Sequence, residues 1–230
     1  MDIKSLLLRY LNPRTVMNIE NFILEIKEAT YDRNQLLEIF NNVKYMARVK
    51  GLPWRDKPTH VAPVDFVKCV VIQYGEYMML DQSKTDLSCN LLEHPYIKEL
   101  VSPFKFSHII TPNNVDIIWY RPGFVFQPHV DHYASSTLMW PIIPANGGTP
   151  VDFYHKEGIE VKAGEYNNIV SDSDICYTHY YSTDFPTIFN SHVIHGIRPV
   201  EEERVYLRLR INEDFNSIKE KFNNGTLLND

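Results

Sequence analysis

The chain has 230 residues, 44% hydrophobic and 13% aromatic, with a formal net charge of −6 at neutral pH. That composition supports a well-buried fold and argues against disorder, while the charge gives no global basic footprint, which disfavours nucleic acid and anionic membranes as partners. The cysteines Cys69, Cys89 and Cys176 form neither a disulfide framework nor a zinc-like spacing, and neither a secretory h-region nor a spanning apolar run is present, so a reduced, cytoplasmic protein is expected.

Thr15–Glu28 places Val16, Ile19, Phe22, Ile23 and Ile26 at three- and four-residue steps, which predicts a helix. Asn34–Val49 repeats the pattern with Leu36, Leu37, Ile39, Phe40, Val43 and Met46. Pro53, Pro58 and Pro63 then break it. Val64–Tyr74 reads equally as helix or buried strand, and Leu91–Val101 as a short helix stopped before Pro103. From about residue 106 the texture becomes β-like, with eight candidate strands: Asp116–Tyr120, Phe124–His129, Ser136–Ile143, Pro150–His155, Ile159–Lys162, Ile175–Tyr181, Thr187–Ile194 and Arg204–Ile211. The expected fold is mainly β, a sandwich or jelly roll, with N-terminal helices packed on one sheet. The expected division is a helical extension over 1–105, a β core over 106–215 and a C-terminal helix or tail over 216–230, together one compact unit.

Within that core, residues 126–132 read F-Q-P-H-V-D-H. His129 and Asp131 are two apart, so in extended chain both side chains point to one side, as a shared metal ion requires. Alone the pair is a weak signal, since surface strand ends carry it too. Further on, His195 ends a strand-like run, Gly196 follows, and Arg204 opens another strand nine residues after His195. Two histidines and one carboxylate make the facial triad that holds ferrous iron with open positions for a bidentate 2-oxo acid and dioxygen. The far carboxylate of such an acid needs a fixed cation, and an arginine fork suits it. In the last strand Arg204, Tyr206, Arg208 and Arg210 share one face, while Val205, Leu207, Leu209 and Ile211 share the other. Three arginines are costly in a dry core, so this face is expected to line a polar cavity, with the apolar face on the helices. A solvated arginine face is the alternative.

The order and spacing His129-x-Asp131, then His195, then Arg204, resemble the Fe(II)/2-oxoglutarate-dependent oxygenases, in their prolyl- and aspartyl-hydroxylase branches. Tyr120-Arg-Pro-Gly resembles the stretch leading into that family's H-x-D, and Gly147-Gly148 with Val151-Asp-Phe resembles its glycine-led strand. The likeness covers roughly residues 114–212. It implies a double-stranded β-helix, with cupin-like topology, and His129, Asp131 and His195 as iron ligands. It also implies that Arg204 pairs with the C5 carboxylate of 2-oxoglutarate and that Tyr120 donates to the same cosubstrate; from the parity of the last strand Arg208 and Arg210 are further cosubstrate-binding candidates, one or other of them reaching the site. The implied chemistry consumes 2-oxoglutarate and O2, releases succinate and CO2, and oxidises a C–H bond of a peptidyl or small-molecule substrate. Retention of Asp131 favours hydroxylation, or demethylation through a hydroxymethyl product, over halogenation. A cupin-like metal-binding protein that does not use 2-oxoglutarate is the alternative.

Among the other histidines, His132 has the opposite parity to the motif and His192 competes with His195 for the third ligand position. His60, His94, His108, His155 and His179 lack partner spacing and read as structural. Trp119 and Trp140 read as core, Cys176 as buried and inert, and Glu201–Glu203 as a solvated turn. Tyr177, Tyr180, Tyr181, Phe185 and Phe189 read as core and rim packing, and Asp81–Asn113 and Cys176–Pro186 as rim segments.

Overall fold

A computed structural model describes residues 19–49, 69–72, 91–111, 114–120, 122–131, 134–146, 148–156, 158 and 170–229. Its strands are β1 (Ile23–Glu25), β2 (Cys69–Ile72), β3 (Val115–Tyr120), β4 (Phe126–His129), β5 (Ser136–Ile143), β6 (Val151–Tyr154), β7 (Ile175–His179), β8 (Thr187–Asn190), β9 (His195–Ile197) and β10 (Arg204–Ile211). The helices are α1 (Arg33–Val49), α2 (Pro95–Val101) and α3 (Phe215–Asn223).

Two antiparallel sheets result, a six-stranded one in the order β1-β8-β5-β10-β3-β2 and a four-stranded one in the order β4-β9-β6-β7. From β3 to β10 the chain passes from one sheet to the other at every step except β6 to β7, which is jelly-roll topology. Most of the expected strands appear within a residue or two of their predicted bounds. Ile159–Lys162 lies outside the described residues, as do Pro53, Pro58 and Pro63 and most of Val64–Tyr74.

The two faces of the large sheet have different partners. Its outer face carries Val115, Ile117, Trp119, Leu138, Trp140, Val205, Leu207, Leu209 and Ile211, packed with Leu36, Ile39 and Phe40 of α1, Ile97 and Leu100 of α2, and Phe215 and Ile218 of α3. The helices therefore cover the outer face, as the alternation in β10 requires. Burying each such side chain is worth about 1.5–3 kcal/mol. Trp119, edge-on to Phe40 at 5.6 Å, and Trp140 belong to this core. Each helix start is locally satisfied: Asp32 accepts from the Asn34 backbone N–H before α1, His94 from Tyr96 before α2, and Asp214 from Asn216 before α3. Among the described residues no helix is long and apolar enough to cross a membrane. The inner face meets the small sheet through Ile118, Met139, Phe189 and Tyr206 against Val151 and Phe153.

Three expectations need correction. Over residues 19–28 the predicted helix is replaced by a 3-10 turn, Ile19–Asn21, and by β1, whose Ile23, Leu24 and Glu25 pair with Phe189, Ile188 and Thr187. Here an open edge on β8 supplies backbone partners that outweigh local helical periodicity. Thr187–Ile194 is not one strand, because the chain turns at 191–193 and His195 opens β9. Cys176 is exposed on β7, because in that strand it is the neighbouring positions, not its own, that face the interior.

Candidate metal centre and anion pocket

The register between β4 and β9 builds the centre. His129 and His195 are direct partners across this ladder, and their ring centroids lie 4.4 Å apart. The close approach depends on Gly196, where a Cβ would stand 2.9 Å from the Phe126 carbonyl oxygen and 3.2 Å from the Pro128 nitrogen. Pro128 is tolerated because β4 is an edge strand of the small sheet. Asp131 follows β4 and is held by its backbone N–H donating to the Ser191 carbonyl at 3.0 Å. One carboxylate oxygen is then 3.4 Å from His129 Nε2 and the other 4.0 Å from His195 Nε2. Ligand atoms from the three residues all lie within 4.8 Å of one another. Adjacent ligands about 2.1 Å from one ion are separated by about 3.0–3.4 Å, so the three groups stand close to metal-binding distances.

Each ring is also oriented from behind. His129 Nδ1 donates to the Gln127 carbonyl and His195 Nδ1 to the Val193 carbonyl, both at 2.8 Å. That fixes the proton on Nδ1 and leaves the Nε2 lone pairs facing the centre. Burial, reinforced by the charge of His129, pushes His195 down to about 4, so this imidazole is neutral at pH 7. Burial alone would raise the Asp131 carboxyl, but the adjoining His129 and His195 rings and the Arg208 guanidinium outweigh it and hold the group well below the carboxylate range. The centre thus presents two imidazole nitrogens and one carboxylate. His192, the competing candidate, is exposed in the turn before β9, and His132 lies outside the described residues.

The triad opens onto a cavity of about 50 Å³ between the sheets. Ile118, Phe126, Met139, Val151, Phe189 and Ile197 form its apolar wall, with Tyr120, Tyr181, Tyr206, Arg204 and Arg208 as the other polar members. Arg204 is 1% exposed, its Nε and Nη1 have no hydrogen-bond partner, and among the described residues no carboxylate pairs with it. Its guanidinium lies over the rings of Tyr206 at 4.5 Å and Tyr181 at 5.3 Å. Burial pushes it down to about 10. Gly148, at φ 68°, brings the backbone alongside this side chain, with its Cβ position 4.0 Å from Arg204 Cγ. Unbonded donors on a buried cation are expensive, and the chemical complement is an anion entering the cavity. The Tyr206 hydroxyl is also buried and unbonded.

Arg208 and Arg210 share Asp116 as a counter-ion. Arg208 lines the cavity but is held by Asp116, its register partner on β3, through Nε at 2.8 Å and Nη2 at 2.6 Å. Arg210 lies 3.6 Å from the same carboxylate and does not line the cavity. Tyr120 does line it, stacked on Phe124 at 4.8 Å.

Sequence reasoning missed several members. Asp116 is the fully buried counter-ion of the arginine face. Tyr181 and Phe189, read as packing, are cavity walls. His179, read as structural, is buried beside Arg204, with Nε2 unbonded and its ring 4.8 Å from that of Tyr181. Burial and then the charge of Arg204 push it down to about 4. A visible hint was parity: Asp116, Ile118 and Tyr120 alternate on β3 as Arg204, Tyr206 and Arg208 do on β10.

No family model matches the chain, and no curated protein matches it. Among solved structures it is similar to a prolyl hydroxylase from Trichoplax adhaerens in complex with a hypoxia inducible factor peptide, at 12% identity and TM-score 0.47, covering 95% of this chain and 97% of that one. It is also similar to a prolyl-4-hydroxylase from Pseudomonas putida at 12% identity and TM-score 0.40, covering 84% and 93%. A third similar structure is salicylate 1,2-dioxygenase from Pseudoaminobacter salicylatoxidans, at 11% identity and TM-score 0.33, covering 82% of this chain and 34% of that one. With TM-scores below 0.5 these likenesses carry nothing about the chemistry, which follows from the residues themselves.

Proposed function

We propose that this chain is a non-haem Fe(II)- and 2-oxoglutarate-dependent oxygenase that hydroxylates a C–H bond of a peptidyl or small-molecule substrate. The observation that carries this is one cavity holding both a His–His–Asp cluster and a buried arginine with unbonded donors. His129, Asp131 and His195 would hold ferrous iron, two nitrogens and one oxygen being the donor set of the facial triad. Iron in that setting supplies dioxygen activation coupled to decarboxylation of the 2-oxo acid.

The chain's own residues do the rest. The backbone carbonyls of Gln127 and Val193 keep the two Nε2 atoms unprotonated. Arg204 receives the far carboxylate of 2-oxoglutarate, and the unbonded Tyr206 hydroxyl is available to donate to the same anion. Tyr120, on the same wall, is a further candidate donor. The apolar wall excludes bulk water, which strengthens each of these contacts. A cupin-like protein has no need of a buried unpaired guanidinium.

The test is anaerobic titration with Fe(II) and 2-oxoglutarate, read by the visible charge-transfer band of the chelated 2-oxo acid. We expect the band in wild type, its loss in His195→Ala and a requirement for far more 2-oxoglutarate in Arg204→Ala. Metal binding without any band would overturn the oxygenase reading in favour of the cupin-like one.

A further inference from the structure

The cavity holds a second arginine besides the one assigned to the cosubstrate. If the oxygenase reading holds, one end of 2-oxoglutarate is engaged at the metal and the other at Arg204. The distal carboxylate is then taken by Arg204, and Arg208 stands four residues further along β10, about 13 Å of strand, with Tyr206 between. Yet Arg208 lines the same cavity as the triad, and its side chain is 20% exposed whereas Asp116 behind it is fully buried. Asp116 takes the Nε hydrogen and one Nη2 hydrogen, which leaves three of the five guanidinium N–H groups for a ligand. Asp116 thereby aligns the fork without capping it.

A purely structural role is a poor account of this pair. An ion pair in such a position contributes little net stability compared with well-packed apolar residues, and the flanking inward residue Ile118 shows that the wall accepts apolar side chains. A cation aligned from behind and presented beside a metal site is instead suited to grip an anion. We propose that Arg208 is the recognition point for a carboxylate on the primary substrate, which sets the reacting C–H near the metal while a short apolar body packs on Phe126, Phe189 and Ile197. The substrate class is therefore an organic acid carrying its carboxylate a few bonds from the oxidised carbon.

The probes are straight-chain monocarboxylates from propanoate to hexanoate, each paired with its primary amide. They are titrated by calorimetry into protein loaded with Co(II) and saturating 2-oxoglutarate, so no turnover is needed. We expect at least one carboxylate to bind tenfold or more tightly than its amide, and Arg208→Gln to abolish that preference. Because Arg208→Gln removes the two short bonds to Asp116, the double variant Asp116→Asn/Arg208→Gln serves as a neutral, hydrogen-bonded replacement, with Arg208→Lys expected to restore part of the preference. Equal binding of acids and amides, or a preference that survives both variants, overturns the assignment. So does a loss of 2-oxoglutarate affinity in Arg208→Gln as large as that in Arg204→Gln, which would place Arg208 on the cosubstrate. Failure of Co(II) and 2-oxoglutarate to bind together at all would instead remove the oxygenase reading on which the proposal rests.

Discussion

Replacing Arg204 with methionine is expected to make the ligand-free protein more stable while destroying its affinity for 2-oxoglutarate. The side chain is 1% exposed, with Nε and Nη1 unbonded. Leaving two buried donors unsatisfied costs about 2–6 kcal/mol. Burial pushes its pKa down to about 10, which corresponds to about 3 kcal/mol of unfavourable burial. Stacking over Tyr206 and Tyr181 returns about 1–2 kcal/mol. Methionine keeps most of the aliphatic stem and brings no charge, so Arg204→Met gains about 1–2 kcal/mol. Urea unfolding of apo-protein reads this directly as a higher midpoint at unchanged slope. Adding Mn(II) with 2-oxoglutarate at a hundred times its dissociation constant should then stabilise wild type by about 2.7 kcal/mol and the variant hardly at all. A variant that unfolds earlier than wild type without ligand would refute the reasoning, since Arg204 would then be holding the fold together and not waiting for an anion.

Two further outcomes follow from the same geometry. Gly196→Ala forces β9 away from the Phe126 and Pro128 backbone; it should cost about 1–3 kcal/mol and weaken Co(II) binding at least tenfold, and wild-type metal affinity in that variant would contradict the account of the His129–His195 register. His179 is kept neutral in the fold with a pKa of about 4 against 6.5 when unfolded. The stability it contributes is therefore complete above pH 6.5 and is lost as pH falls toward 4, by about 3 kcal/mol. His195 titrates in the same window, so the measurement is the difference between the stability–pH profiles of wild type and His179→Leu; parallel profiles would show that His179 is not buried neutral.

How far the sequence revealed all this depended on the range of the interaction. The alternation in β10 and the sense of its two faces were legible because a strand's period is two and both residue sets are strongly biased. His129, Asp131 and His195 were legible as a group through order and spacing, although the structure places His195 at the start of β9 and not at the end of a longer strand. What could not be read was pairing. Asp116 sits in V-D-I-I-W-Y as a lone carboxylate, and only the β3–β10 register sets it against Arg208. Likewise Ile23–Glu25 carries helical spacing, and its strand character comes from β8, over 160 residues away. Tyr181 follows β7 and belongs to the cavity only because the two sheets face one another.

The two-sidedness of β10 also bears on how this protein can change over generations. Substitutions at Val205, Leu207, Leu209 and Ile211 are felt among the helices, and substitutions at Arg204, Tyr206 and Arg208 in the cavity. Selection can therefore retune specificity and foldedness on the same eight-residue strand nearly independently. Insertions and deletions have no such freedom. One residue gained or lost inside β10 would turn the arginines toward the helices and the aliphatics toward the metal, so length variation among descendants should collect in the connections and spare this strand.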